Sequence, residues 1–161
     1  MSSPAAAGAP PPSSRPSTWR PADTAVDPRF RYVHRLQVRF RELDALGHVN
    51  HAVYLTYVEQ ARTMYFRDVM RLDVPDELRW VMATQRCDYL APLAFADLVD
   101  VGWRLTGLGR SSAQFEFELV SGAGPVARGG GVMVWADPRA GRAIPMPEEL
   151  RRIAAEFDDL R

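Results

Sequence analysis

Alternating apolar and polar residues predict a first β-strand over residues 33–41. The alternation slips once, between Arg35 and Leu36, and then resumes. Four later segments also have strand character and are separated by turn-prone residues rich in Gly, Ser and Pro. They span residues 79–90, 98–107, 112–120 and 126–136. Strands joined in succession by short turns favour an antiparallel sheet.

A different period governs residues 52–71, where apolar residues cover most of a helical circumference. A thin polar seam remains, made of Thr56, Glu59, Gln60, Arg62, Thr63 and Arg67. A helix that is apolar nearly all round is surrounded by protein. A second helix is expected from Pro147, followed by acidic residues that suit its first turn. The predicted fold class is therefore α+β, and a sheet wrapped around one helix leaves an edge that favours a homo-oligomer.

The length of 161 residues is that of one domain. Residues 1–28 are mostly Pro, Ala and Ser, so they are expected to form a disordered tail with too little apolar surface to offset the entropy of ordering. The tail has no continuous apolar region of the kind found in secretory signals. The folded domain is accordingly predicted over residues 29–161. No run approaches the roughly 18 apolar residues of a membrane-spanning helix.

The charges exclude several classes of function. Twenty basic residues balance twenty acidic ones, so the net charge of zero indicates neither nucleic-acid binding nor attachment to an anionic membrane. Every basic residue is Arg, and the absence of Lys excludes Schiff-base chemistry and a P-loop. Cys87 is the only cysteine, so no internal disulfide forms and a cytoplasmic location is expected.

The segment most informative about chemistry spans residues 40–62. Asp44 lies in a loop just before the long helix, Gly47 permits a tight turn, and Asn50 is placed to cap the helix. A helix start offers free N–H donors and a positive dipole end, which suit a carbonyl oxygen that is becoming an oxyanion. The same dipole favours an ionised carboxylate nearby. Together these groups could hydrolyse a thioester, a reaction that needs no metal, although the residues alone leave open that Asp44 is an ordinary turn residue.

The same segment, with Asp44, Gly47-His48-Val49-Asn50, Tyr54 and Glu59 in register, resembles the 4-hydroxybenzoyl-CoA thioesterase family of hot-dog-fold proteins. Its His-Val-Asn, Tyr and Glu positions are also similar to plant acyl-ACP thioesterases. The resemblance continues at residues 89–93, 97–99 and 109–112, and covers nearly everything after Phe30.

The resemblance implies a five-stranded antiparallel sheet wrapped around one central helix, in a homodimer or homotetramer with the active site between subunits. The implied reaction is hydrolysis of an acyl-CoA or acyl-ACP thioester without a cofactor. Asp44 then corresponds to the catalytic carboxylate, acting as nucleophile or general base. The backbone N–H of His51 corresponds to the oxyanion donor.

Three further side chains could take part in the reaction. Glu59 is the alternative carboxylate, since a second group of hot-dog thioesterases uses a helix glutamate, but a helix ion pair with Arg62 or Arg67 also explains it. The side chains of His48 and His51 are candidate acid–base groups or structural residues. A metal site is not expected, because Asp44 and the two histidines lack an evident fourth ligand.

The remaining candidates concern substrate binding. Gly47 and His48 lie in the loop, and Tyr54 is either a core or a substrate residue. Asn50 is grouped with the catalytic residues, where it caps the helix and could also touch the substrate. Arg110, with Ser111 and Ser112, could hold the CoA phosphates, because a guanidinium matches phosphate geometry, or could simply form a polar hairpin turn.

Two other functions remain alternatives. One is a hot-dog hydratase or dehydratase of enoyl thioesters, but position 49 is Val where the motif of those enzymes requires His. The other is a non-catalytic protein that binds acyl thioesters, and the presence of Asp44 argues against it. The acyl chain and the choice between CoA and carrier protein are left open.

Overall fold

The computed structural model describes residues 18–74 and 77–160. Helix α1 spans His51–Asp68 and helix α2 spans Glu148–Asp158. The strands are β1 (Tyr32–Gln37), β2 (Trp80–Tyr89), β3 (Leu98–Leu108), β4 (Ser112–Ser121), β5 (Gly124–Asp137) and the two-residue β6 (Arg142–Ala143).

The strands form one antiparallel sheet in the order β1-β3-β4-β5-β2, with β6 added beside β5. Helix α1 buries one face in a core that it shares with the strands. Its buried residues are Tyr54, Tyr57, Val58, Ala61, Tyr65 and Phe66. The prediction of a hot-dog fold, a five-stranded antiparallel sheet around one long helix, is thus confirmed, and the sixth strand is a short addition.

Helix α1 differs in two respects from the sequence prediction. It ends at Asp68 rather than Arg71, because Arg71 adopts a left-handed φ of 59° and the chain turns away. It is also less enclosed than the apolar pattern indicated. Val53, Leu55 and Met64 pack against the core but are only partly buried, so the rest of the chain covers only one side of the helix.

Strand β1 is shorter than predicted and ends at Gln37 instead of residue 41. Beyond it, the Val38 N–H donates to the carbonyl of Asp97 at 2.9 Å. Residues Phe40–Glu42 then form a 3-10 turn. The side chain of Glu42 accepts a hydrogen bond from the Arg39 N–H at 2.8 Å. This local bond closes the turn and replaces the ladder hydrogen bonds of a strand.

Residues 1–17 of the predicted tail lie outside the described residues. Within residues 18–28, however, Val26 is buried on the outer face of the sheet, beside Phe30, Val33 and Val120. A Cβ atom at Gly102 of β3 would lie 2.5 Å from Val26 Cγ1, so the contact is close. The packed chain therefore begins before residue 29. The sequence pattern missed this, because a single Val in a polar stretch cannot form a periodic pattern of apolar residues.

No helix within the described ranges combines the length and the apolar character needed to cross a membrane.

Candidate functional site

The loop over residues 43–49, called the Asp44 loop below, is a tight hairpin between the 3-10 turn and α1. The Asp44 N–H donates to the carbonyl of His48 at 2.8 Å, and the Gly47 N–H donates to the carbonyl of Asp44 at 3.1 Å. Gly47 has a φ of 80°, which L-residues with a side chain rarely adopt. The Val49 N–H donates to the Leu93 carbonyl at 2.9 Å and so ties the loop to the segment after β2.

The carboxylate of Asp44 is oriented by its own loop. Its Oδ1 accepts hydrogen bonds from the N–H groups of Leu46 at 2.8 Å and His48 at 3.3 Å. Its Oδ2 accepts no hydrogen bond from any residue that the structure describes. One oxygen therefore holds the side chain in place, while the other remains available to a ligand.

Asn50 caps helix α1, as predicted. Its Oδ1 accepts from the Ala52 N–H at 2.9 Å, and its carbonyl accepts from the Val53 N–H at 2.9 Å. The N–H of His51, which is the first residue of the helix, has no hydrogen-bond partner within residues 18–74 and 77–160. A free N–H at the positive end of a helix dipole is a suitable donor to an oxyanion.

Asp44 and His51 line one open cleft of about 360 Å³, called the Asp44 cleft below. The other lining residues are Val49, Tyr54, Tyr89, Leu90, Ala91 and Pro92. Of the candidates drawn from the sequence, the structure thus brings Asp44, His51 and Tyr54 together. Residues 89–92 were not among the predicted site residues, although they belong to the matched segment 89–93, and that part of the resemblance was the available signal.

Two tyrosines that line the Asp44 cleft form hydrogen bonds with its backbone. The Tyr89 hydroxyl donates to the His51 carbonyl at 3.0 Å, and the Tyr54 hydroxyl donates to the Ala91 carbonyl at 3.1 Å. Their rings meet edge to face with centroids 5.2 Å apart. Burial raises the pKa of both hydroxyls, so they stay protonated donors. These bonds fix the start of α1 against the end of β2.

Glu59 lies away from the Asp44 cleft. Its side chain is 65% exposed and pairs with Arg62 at 3.4 Å, the helix ion pair that the sequence left as one interpretation. It follows His51 by eight residues, or about 12 Å of helix rise. His48 is also exposed and does not line the cleft. Within one chain, Glu59 and Asp44 therefore face different surroundings.

Arg110, Ser111 and Ser112 form the hairpin turn at the opposite end of the sheet. Ser112 pairs with Val134, whereas Tyr89 at the cleft pairs with Ala127, seven residues earlier on β5. Seven residues of strand span about 24 Å. A single chain therefore does not bring this turn to the Asp44 cleft.

The described part of the chain contains no group of three or more His, Cys, Asp and Glu side chains arranged to hold a metal ion.

Comparison with known proteins places this geometry in a family. The family model of the thioesterase-like superfamily matches residues 38–153. A thioesterase from Thermus thermophilus, crystallised with coenzyme A and Zn, is 41% identical with a TM-score of 0.75, over 83% of this chain and 98% of that one. A thioesterase-superfamily protein from Jannaschia sp. CCS1 is 26% identical with a TM-score of 0.76, over 84% of this chain and 88% of that one.

The curated protein YsmA of Bacillus subtilis (strain 168) is 28% identical over 122 residues, which are 74% of this chain and 82% of YsmA. The family match begins at Val38, before the Asp44 loop, and runs through the sheet into helix α2. It thus includes the Asp44 cleft and every element that positions it. The resemblance to hot-dog thioesterases is confirmed, and the chain belongs to the thioesterase-like superfamily.

Proposed function

We propose that the protein hydrolyses an acyl-CoA thioester to a free acid and a thiol in the Asp44 cleft. The observation that carries the proposal is the shared cleft of Asp44 and the first turn of α1. There, a carboxylate oxygen and an N–H group that have no hydrogen-bond partner among the described residues lie on the same cavity. Coenzyme A is the favoured thiol because the 41% identical thioesterase from Thermus thermophilus was crystallised with it.

In this mechanism the thioester carbonyl oxygen accepts the His51 N–H, which stabilises negative charge as the carbonyl carbon becomes tetrahedral. Such a donor contributes roughly 10²–10³ in rate. Asp44 Oδ2 either attacks the carbonyl carbon or removes a proton from an attacking water. A positioned general base contributes about 10²–10⁴.

The C–S bond then breaks in either route. If Asp44 is the nucleophile, the thiolate leaves, takes a proton from solvent and leaves a mixed anhydride, which water hydrolyses to regenerate the carboxylate. If Asp44 is the base, the proton it removed from water passes to the departing sulfur. Thiols have a pKa of about 8.5, so the thiolate is a good leaving group without strong acid assistance.

We also propose that the active form is a homodimer or a homotetramer. Strand β2 is the last strand of the sheet, ten residues long, and its outer edge is unpaired among the described residues. Exposed apolar side chains lie on or beside it, including Val81 at 55% and Leu90 at 48% exposure. In such an assembly we propose that the turn of Arg110, Ser111 and Ser112 of a second copy contacts the CoA, because seven residues of strand separate this turn from the cleft within one chain. Light scattering that finds an active monomer at micromolar concentration would refute this assembly.

The proposed location is the cytoplasm. Cys87 is the only cysteine, and burial raises the pKa of its thiol, so the chain neither needs nor exploits an oxidising compartment. Recovery of the native protein from the membrane or secreted fraction of its own cells would contradict this.

The decisive experiment measures free-thiol release from a panel of acyl-CoA and acyl-ACP substrates of different chain length, with aliphatic and aromatic acyl groups. Asp44→Asn keeps the size of the side chain but loses the basic oxygen, and should lower kcat by about 10²–10⁴ with little change in KM. Glu59→Gln is the matched comparison and should cost stability, through its ion pair with Arg62, or at most about tenfold in rate. If Glu59→Gln abolishes activity in a folded protein while Asp44→Asn retains it, the assignment is wrong.

The same panel tests the alternatives. Addition of water to enoyl-CoA without thiol release would favour the hydratase, and tight acyl-CoA binding without turnover would favour the binding protein.

A further inference from the structure

Glu42 is a buried carboxylate two residues before Asp44. It is only 6% exposed, and it does not line the Asp44 cleft. Its Oε2 accepts the Tyr57 hydroxyl at 2.6 Å and the Arg39 N–H at 2.8 Å. Its Oε1 accepts two N–H groups of the Arg39 guanidinium, one of them, Nε, at 2.7 Å. Both oxygens are therefore fully engaged, in contrast to the free Oδ2 of Asp44.

The backbone of Glu42 is engaged as well. Its carbonyl accepts the N–H of Asn50, the residue that caps α1, at 3.0 Å. This bond joins the residue before the Asp44 loop to the residue after it. Glu42 thus closes the base of the loop through its backbone and attaches that base to the second turn of α1 through Tyr57.

The charge of Glu42 strengthens this attachment. Burial alone would raise its pKa, but the hydrogen bonds from Tyr57 and Arg39 outweigh burial, and the pKa of the carboxyl is lowered. Burial and the bond to Glu42 raise the pKa of Tyr57, which stays a neutral donor. A hydrogen bond to an ionised acceptor is roughly twice as strong as a neutral one. The phenol–carboxylate bond is therefore a rigid connection between loop and helix.

Glu42 lines a second cavity, of about 320 Å³, which shares no lining residue with the Asp44 cleft and is lined also by His34, Gln37, Thr56 and Gln60. Since its four acceptor positions are taken by Tyr57 and Arg39, it has no oxygen left for a substrate there. Its influence on chemistry must pass through the loop that it holds.

We propose that Glu42, held by Tyr57, is the positioning residue that sets the Asp44 carboxylate relative to the His51 N–H. The inference rests on the proposed thioesterase function and adds two residues to its machinery. A displacement of about 1 Å in a reacting group costs about 10² in rate. The bonds of Glu42 constrain displacements of this size, because they tie both ends of the loop to α1.

The test compares Glu42→Gln and Tyr57→Phe with Tyr32→Phe in the full chain. Tyr32 is a matched control, because its hydroxyl donates to Asp68 of the same helix at 2.9 Å, far from the loop. Glu42→Gln places an amide against the donors of Arg39 and should lower kcat by about 10–10², with KM changed by less than about twofold. Tyr57→Phe should lower kcat by about tenfold, and Tyr32→Phe should leave it unchanged.

The thermal midpoint and the oligomeric state are measured for each variant. If Glu42→Gln does not fold, the milder Tyr57→Phe decides. The double variant Glu42→Gln/Tyr57→Phe should be no slower than Glu42→Gln alone, because the two side chains act as one unit.

Two results separate the inference from the function on which it rests. If Asp44→Asn is inactive while Glu42→Gln and Tyr57→Phe keep wild-type kcat, or lose no more than Tyr32→Phe does at equal thermal midpoint, the positioning role is wrong and the thioesterase assignment stands. If the wild-type protein releases no thiol from any substrate in the panel, the proposed function itself fails.

Discussion

The two ends of helix α1 carry similar tyrosine–carboxylate pairs with opposite electrostatics. Near the start, Tyr57 donates to Glu42 at 2.6 Å, and near the end, Tyr65 donates to Asp158 of α2 at 2.8 Å. Hydrogen bonds lower the pKa of Glu42 despite burial, whereas burial raises the pKa of Asp158 to about 6. Both carboxylates are buried, so burial by itself does not explain the difference.

The difference follows from where the arginines bind. Arg39 places its guanidinium on the carboxylate of Glu42. At the other end, Arg104 and Arg31 donate instead to the backbone carbonyls of Asp158 and Phe157, at 3.4 Å and 2.9 Å. Asp158 Oδ2 accepts from Tyr65 and from the Leu105 N–H at 2.9 Å, while Oδ1 has no partner in the described part of the chain.

The carboxylate of Glu42 therefore stays ionised next to the Asp44 loop. The Tyr65–Asp158 pair joins α2 to the core, but the charge of Asp158 is poorly solvated there. We expect the first end of α1 to control the reaction rate and the second to control stability.

The largest expected effect is on activity. Asp44→Asn should lower kcat by about 10²–10⁴ without changing the thermal midpoint, because it removes a base that holds no other element in place. Asp158→Asn should leave kcat unchanged, because Asp158 lies at the far end of α1. Steady-state thiol release and thermal melts on both variants make the comparison. A comparable loss of kcat in Asp158→Asn would mean that the two ends are coupled.

The next effect is the pH dependence of stability. Asp158 has a folded-state pKa of about 6 against an ordinary value of 3.8. The folded state thus favours the protonated form of Asp158. This preference contributes fully to the free energy of unfolding below about pH 4, and the contribution is lost as the pH rises through 6. Two pKa units correspond to about 3 kcal/mol.

Urea unfolding of wild type and Asp158→Asn between pH 4 and pH 7.5 measures this contribution. The stability of the wild type relative to the variant should fall by that amount as the pH rises. If the unfolding free energies of wild type and variant change with pH in the same way, Asp158 does not titrate in this range.

Removing the Tyr65 hydroxyl tests the same end of α1 from the helix side. Tyr65→Phe takes one of two donors from Asp158 Oδ2 and should destabilise the fold by about 1–3 kcal/mol above pH 6, where Asp158 is charged. The loss should shrink at pH 4. Activity at 25 °C should be kept, in contrast to Tyr57→Phe. Chemical denaturation at the two pH values gives the answer, and a loss of kcat equal to that of Tyr57→Phe would remove the distinction between the ends.

The smallest expected effect comes from replacing either of two glycines that have left-handed backbone conformations. Gly47 in the Asp44 loop and Gly141 after β5 have φ values of 80° and 60°, and a Cβ atom at either would meet nothing within 4 Å. Alanine at either position should cost about 1–2 kcal/mol through backbone strain alone. Only Gly47→Ala should also lower kcat, since its strain falls on the loop that carries Asp44. Equal activity of the two variants would indicate that the loop tolerates this distortion.

The sequence alone was enough to predict the features that depend on neighbours along the chain. The helix, the five strands, the Asn50 cap and the meeting of Asp44 with the first turn of α1 all follow from local period, turn chemistry and spacing. The resemblance of residues 40–62 added the family. These predictions succeed because backbone hydrogen bonds within a turn or cap involve residues only a few positions apart.

Only the tertiary structure decided which distant groups surround each side chain. Tyr89 reaches His51 across 38 positions, Val26 packs over Gly102, and Asp158 meets Tyr65 across 93 positions. Glu42 and Asp44 are acidic residues of one short segment, yet Glu42 is buried with both oxygens bonded, while Asp44 Oδ2 has no partner in residues 18–74 and 77–160. Burial and charge depend on contacts between elements, and no local pattern encodes them.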